Sequence, residues 1–117
     1  EFLSPHRERL VFEWADAVIK GTKNAVRLVD TAADRGKLGV AAVAALYSRF
    51  EEIDAVSGGG SIAPFRRRAA EIAAVDWPRE RRDRAKEILL ELDLNLKSRS
   101  AEQSAALVEL ATLRLLA

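Results

Sequence analysis

The sequence of 117 residues contains no cysteine and no methionine, and it has a single histidine. Without cysteine the chain can form no disulfide, iron–sulfur cluster, thiolate metal site or cysteine nucleophile, and this composition fits a reducing compartment. One histidine excludes zinc sites built from several histidines and proton transfer between two of them. That residue, His6, adjoins Pro5 at a predicted helix start, where we interpret it as a solvated side chain.

Long apolar runs and an excess of one charge are also missing. The apolar runs fall far short of the roughly 18 residues that a transmembrane helix needs, and no signal peptide is visible, so we expect no membrane partner. Nineteen basic and eighteen acidic residues leave a net charge of +1, which argues against a dedicated nucleic-acid or membrane-surface binder. Since the chain begins Glu-Phe-Leu and contains no Met, we expect a fragment of a longer protein whose upstream part is missing.

The motifs of enzymes and nucleotide-binding proteins are absent too. Neither G-x-G-x-x-G nor G-x-x-x-x-G-K-[ST] occurs, and the serines beside the glycine triplet have no histidine to activate them. Glu51, Glu52 and Asp54 form an acidic cluster that could share a proton or a cation if buried together. Because Phe50 and Ile53 belong to the apolar stripe of the same helix, we expect Glu51 and Glu52 to face water. We therefore predict no catalytic residue, no metal and no cofactor.

Apolar residues recur at helical spacing along almost the whole chain, which predicts an all-α fold. The pattern indicates a compact bundle of five to six helices in a single domain over residues 1–117. The predicted helices cover about 5–20, 22–35, 38–56, 64–74, 78–97 and 101–116. Gly21 and Gly36 are the predicted ends of the first two helices, and the predicted caps are Thr22, either Asp76 or Trp77, and Ser100. Trp14 is predicted as a core residue, and the third helix has a predicted apolar stripe of Val40, Val43, Ala44, Tyr47, Phe50 and Ile53. A glycine- and serine-rich loop, 57–61, is the main internal break; its composition is shared by engineered linkers and by natural loops.

Two of the predicted helices are apolar over more than one face. The helix that starts at Pro78 has a core stripe through Ile88 and Leu92, and further leucines widen its apolar arc. Helices of this kind need more than one neighbour, so we expect some of these leucines to meet another subunit. The candidate interface residues are Leu90, Leu94, Leu113 and Leu116.

Arginines cluster in the second half of the chain and support two interpretations. In the first, they contact nucleic-acid phosphates, and the candidate residues are Arg66, Arg67, Arg79 and Arg82. In the second, they belong to solvated helix faces with ion pairs such as Glu80–Arg84 and Asp83–Lys86. Three consecutive arginines at 66–68 cannot all face the same way on a helix, which weakens the first interpretation.

Several short phrases follow one another in a characteristic order. Segment 12–21 reads FEWADAVIKG, and Pro64-Phe65 is followed by arginines after the glycine loop. Trp77 then precedes a helix with Leu89, Asp93 and Leu96-Lys97 in an L-x-x-x-D-x-x-L-K pattern, and the closing helix carries Val108-Glu109-Leu110. In order and spacing these phrases resemble the C-terminal domain of the delta subunit of bacterial DNA polymerase III.

The resemblance implies a specific role. The delta subunit belongs to the clamp loader, which opens the ring-shaped sliding clamp and places it on primed DNA during replication. Its C-terminal domain joins the equivalent domains of the gamma/tau and delta-prime subunits in a helical collar. The clamp contact would lie in the N-terminal part that this chain lacks, and ATP hydrolysis in gamma/tau. The chain would thus be a non-enzymatic module of a DNA-directed DNA polymerase complex in the bacterial cytoplasm.

Two alternatives remain beside this interpretation. The chain could be the collar domain of gamma/tau or delta-prime, which share the architecture, although the Asp-Ala…Gly phrase near the start favours delta. It could also be a stand-alone helical domain that binds nucleic acid through its arginine-rich helices, with the basic runs at 66–68 and 79–86 as its footprint.

Overall fold

Six α-helices make up nearly all of residues 5–32, 39–97 and 101–117, the part of the chain that the computed structural model describes. They are α1 (Pro5–Lys20), α2 (Asn24–Ala32), α3 (Gly39–Ser57), α4 (Pro64–Asp76), α5 (Arg79–Leu96) and α6 (Ala101–Leu116). No strand occurs in these three ranges, so the prediction of an all-α bundle is confirmed. Gly36 and Ser100, predicted as helix punctuation, lie outside the described residues, as does the side chain of His6.

Two helices end at a glycine with a left-handed backbone. Gly21 (φ 71°) follows α1, and the amides of Gly21 and Thr22 donate to the carbonyls of Val18 and Ala17, at 3.0 Å each. Gly59 (φ 77°) ends α3 with the same pattern, two hydrogen bonds back into the last turn. Glycine suits both positions because a Cβ disfavours this conformation. The observed loop therefore covers 58–63, and Ser57, predicted to lie in it, is the last residue of α3.

Prolines mark the starts of the next two helices. Pro64 occupies the first position of α4, where a missing amide proton costs nothing. Pro78 is extended (ψ 163°) and immediately precedes α5, so the cap is Pro78 and not the predicted Asp76 or Trp77. Thr22, predicted to cap α2, instead donates its hydroxyl to the Ala17 carbonyl of α1, at 3.4 Å.

Five of the helices pack in a closed ring, and α4 lies outside it. The neighbours in this ring are α1 with α2, α2 with α6, α6 with α5, α5 with α3, and α3 with α1. Helix α4 is attached to this ring through α3. The start of α5 lies beside the end of α6, because the Arg81 guanidinium donates to the Leu115 carbonyl, at 3.4 Å. Helices α5 and α6 are therefore antiparallel, and α4 is the peripheral helix.

Two tryptophans from distant parts of the sequence anchor the core. The indole of Trp14 donates to the Thr112 hydroxyl at 3.1 Å, which ties α1 to α6. The indole of Trp77 donates to the Ile19 carbonyl at 2.8 Å, and its ring meets Phe50 edge to face at 4.8 Å. Both side chains are fully buried with their polar atom satisfied, as large amphipathic rings require. The prediction of Trp14 as a core residue is confirmed.

The predicted core stripe is right for α5 and partly wrong for α3. In α5 the stripe from Ala85 to Leu96 is buried as expected. In α3, Val40 and Ala44 were expected inside and are exposed, whereas Leu46 is fully buried. The physical reason is that residues 40–46 are apolar all round the helix, so their pattern does not define which side faces inward. The packing against α1, α4 and α5 decides it.

Candidate interaction surfaces

Four leucines of α5 and α6 project away from the core, and we call them the α5–α6 surface. Leu94 is 70% exposed, while Leu90, Leu110 and Leu113 are 50–56% exposed. Leu90 and Leu94 are one turn apart, and α5 lies directly against α6. Three of the four predicted interface residues are thus at the surface.

The fourth predicted interface residue, Leu116, is placed differently. It is half-buried and packs against the core cluster, so it belongs mainly to the edge of the core. Leu110, which the sequence analysis did not name, takes its place among the exposed leucines. The signal for Leu110 was available, because it lies one turn from Leu113 and Val108 and Ala111 already fill the inner face of α6.

A second exposed apolar set lies on α4, and sequence reasoning missed it. Phe65 is 84% exposed, and Ile72 and Val75 are similarly accessible. Spacings of seven and three residues put the three on one side of the helix. Ala70 and Ala73 form the buried face of α4, so this α4 surface has no partner among the described residues. The signal for this surface in the sequence was that small alanines and large apolar residues occupy different faces of α4, so the large residues are not needed for the core.

A groove separates α4 from α1 and α3. It encloses about 340 Å³ above a floor that includes Ile19, Ile53 and Ala73. The charges in its lining are already paired: Asp16 with Arg49, at 3.4 Å, and Glu52 with Arg66, at 2.9 Å. Paired charges and an apolar floor give the groove no acid, base or nucleophile that stands ready for a reaction.

The acidic cluster of α3 is divided among three different environments. Glu51 is exposed, as expected, whereas Glu52 is mostly covered through its ion pair with Arg66. Asp54 accepts from Arg82 Nε at 2.7 Å and also pairs with the ammonium of Lys86. The described residues contain no group of three histidine or acidic side chains placed to hold a metal ion.

The contacts of Asp54 with Arg82 and Lys86 lower the pKa of its carboxyl group. Burial alone raises its pKa, but the hydrogen bonds and positive charges of Lys86 and Arg82 outweigh burial, so the pKa of Asp54 lies below its ordinary value of 3.8. Because a low pKa here reflects two stabilising contacts between α3 and α5, we interpret Asp54 as a structural residue.

Arg82 requires a correction to the sequence analysis. It is predicted as a phosphate contact, but its side chain is buried, and its guanidinium bonds to Asp54 and to the Trp77 carbonyl at 2.7 Å. The reason is that Asp54, 28 residues earlier, faces α5 at this point. A guanidinium held in this way is not offered to a ligand.

The other three predicted phosphate contacts are exposed but do not converge. Arg66 pairs with Glu52, Arg67 donates to the Gly60 carbonyl at 3.3 Å, and Arg79 lies 4.0 Å from Asp83 on the next turn of α5. The ion pairs that form differ from those expected, since Asp83 meets Arg79 and Lys86 meets Asp54. The interpretation as charged faces with ion pairs accounts for most of these arginines.

Comparison with protein-family models, curated proteins and solved structures returns no match to the chain. None of the described helices combines the length and apolar character needed to cross a bilayer. The described residues thus form a helical bundle with two unpartnered apolar surfaces, charged side chains that largely pair with one another, and no reactive constellation.

Proposed function

We propose that this chain is a subunit-assembly module, a helical domain whose exposed apolar surfaces are covered by related domains in a larger complex. More particularly, we propose the collar domain of a bacterial clamp-loader delta subunit, acting in the cytoplasm. Its partners would be the collar domains of the gamma/tau and delta-prime subunits. It would reach the sliding clamp only through a further N-terminal part, and it would catalyse no reaction itself.

The observation that carries this proposal is the exposure of large apolar residues on helices that already have a core. In α5 and α6 the inner positions are filled, yet four leucines remain half or more exposed. In α4 the same holds for Phe65, Ile72 and Val75. Isolated exposed apolar residues are ordinary, but sets at helical spacing on outer faces are typical of protein-binding surfaces.

The two surfaces lie on different parts of the bundle. Helix α4 packs chiefly on α3, whereas α5 and α6 pack on each other and on the rest of the ring. A partner on α4 and a partner on the α5–α6 surface can therefore be different molecules. This arrangement suits a module held between two neighbours in a collar.

The expected strength of a single contact is modest. Covering the exposed half of each leucine contributes about 1 kcal/mol, so the α5–α6 surface contributes about 4 kcal/mol. Association of two molecules costs about 4 kcal/mol or more in lost freedom before any contact is counted. One such surface supports only weak binary binding, and we expect stable assembly when several subunits are present together.

A matched pair of variants tests the proposal. Leu94→Lys places a charge at the most exposed leucine of the α5–α6 surface, whereas Ser48→Lys adds the same charge at an exposed, polar position of α3, outside both apolar surfaces. In light scattering of mixtures with gamma/tau and delta-prime collar domains, we expect Leu94→Lys to lose assembly and Ser48→Lys to retain it. Equal behaviour of the two variants would reject the α5–α6 surface as the contact.

A further inference from the structure

A small basic cavity lies where the first half of α5 meets the end of α6. It is open to solvent and has a volume of about 100 Å³, and the arginines in its lining are Arg81, Arg84 and Arg114. The apolar floor includes Trp77 and Ile88, and no acidic side chain of the described residues lines it. We propose that this cavity binds a phosphate group, a ligand that goes beyond the assembly role.

Arg81 is held in place without losing its charge. Its guanidinium carbon lies 3.8 Å from the centre of the Trp77 ring, and its nitrogens donate to the carbonyls of Asp76, at 2.7 Å, and Leu115, at 3.4 Å. Carbonyl oxygens and an aromatic face orient a guanidinium but do not neutralise it. Arg81 is therefore a fixed positive charge at the cavity wall, and little freedom is lost when an anion binds beside it.

The positive charges of the other two arginines are unpaired or only weakly paired within the described residues. Arg84 is exposed and forms no ion pair or hydrogen bond within the described part of the chain. Arg114 has one acidic contact, Glu91 at 3.4 Å, and both side chains of this pair are about half exposed, so water screens it. Three guanidinium groups thus line one cavity, and the one ion pair that any of them forms within the described residues is Arg114–Glu91.

The size and arrangement favour phosphate over a smaller or flatter anion. The cavity is several times larger than the roughly 10–15 Å³ that one water needs. Guanidinium groups donate two parallel hydrogen bonds to oxyanions, and donors from two helices can reach several oxygens of a tetrahedral group. A carboxylate offers only two oxygens in one plane. The phosphate could come from a nucleic-acid backbone or from free phosphate.

Sequence reasoning included Arg81 and Arg84 in the basic run at 79–86 but did not find this site, because the site depends on the pairing of α5 with α6. Arg84 and Arg81 are three residues apart on α5, but Arg114 comes from the other helix. The arginines selected from sequence, Arg79 among them, lie outside the cavity lining.

Nuclear magnetic resonance of the arginine side chains tests the proposal directly. The whole chain, labelled with ¹⁵N, is titrated with inorganic phosphate at constant ionic strength, and the Nε–H signals are followed. We expect saturable shifts at Arg84 and Arg114. Arg84→Gln should weaken phosphate binding at least about five-fold, and Arg68→Gln, which removes an exposed arginine of α4, should leave it unchanged.

Further titrations distinguish a nucleic-acid phosphate from free phosphate and test acetate as a competing anion. A single-stranded oligonucleotide that shifts the same signals identifies a backbone phosphate, whereas response to inorganic phosphate alone identifies the free ion. Equal saturable shifts with acetate would overturn the assignment to phosphate in favour of an acidic side chain of a protein. Shifts that do not saturate, or equal binding by Arg84→Gln and wild type, would overturn the site itself. None of these outcomes depends on collar assembly.

Discussion

Replacing Asp54 by Asn isolates the polar link between α3 and α5. The substitution keeps the shape of the side chain but removes the charge that pairs with Arg82 and Lys86. Arg82 is the critical partner because only 8% of its side chain is exposed. In the variant its charge stays buried with the Trp77 carbonyl as its remaining strong acceptor.

The expected loss can be worked from these contacts. Breaking a fully buried ion pair costs about 3–5 kcal/mol. Asp54 is about one-third exposed, so solvent screens part of the interaction, and we expect a loss of about 2 kcal/mol. In urea unfolding, followed by the fluorescence of the two tryptophans, this corresponds to a midpoint lowered by roughly 1 M.

The pH dependence of the unfolding free energy provides a second, independent test. Because the pKa of Asp54 is lower in the folded chain than its ordinary value of 3.8, its contribution is fully present above that value and is lost as the pH falls below it. The difference in unfolding free energy between wild type and Asp54→Asn should therefore shrink in acid. The control, Glu51→Gln, changes an exposed acid three residues away and should shift stability by less than about 0.5 kcal/mol.

Two results would refute this reasoning about Asp54. One is an Asp54→Asn midpoint equal to that of Glu51→Gln at neutral pH. The other is a wild-type advantage that persists unchanged at pH values well below 3.8.

Two further substitutions probe the core and a helix end. Thr112→Val should lower the free energy of unfolding by about 1–3 kcal/mol, because it leaves the buried Trp14 indole without its acceptor. The same substitution should cost much less in a Trp14→Phe background, and equal costs in both backgrounds would disprove the link. Gly21→Ala should cost about 1–2 kcal/mol because φ is 71° while nothing lies within 4 Å of the added methyl group, and Gly21→Asn should cost less. Equal thermal stability of wild type and Gly21→Ala would show that α1 does not need this left-handed end.

The helix boundaries could be predicted because local chemistry sets them. Gly21 ends α1 and Pro64 begins α4 through backbone preferences that neighbouring residues alone determine. The buried stripe of α5 was equally accessible, since charged residues on its other side define which face is inward. In α3 the residues around Leu46 are apolar on every side, so only the packing of three neighbours fixes the orientation.

The interaction surfaces could be predicted less completely. Leu90 and Leu94 stood out because they widen an apolar arc that was already sufficient for the core. Arg82 was assigned wrongly because its partner Asp54 is distant in sequence, and nothing near Arg82 indicates burial. The basic cavity needs Arg84 and Arg114 to meet across two helices, which is a property of the tertiary fold and not of either helix alone.

The most direct measurement is sedimentation velocity of the wild-type chain, alone and mixed with the collar domains of gamma/tau and delta-prime. The account predicts one larger species that contains all components, with this chain absent from the slow boundary when its partners are in excess. Separate boundaries for every component, at concentrations where the other collar domains assemble with one another, would contradict it.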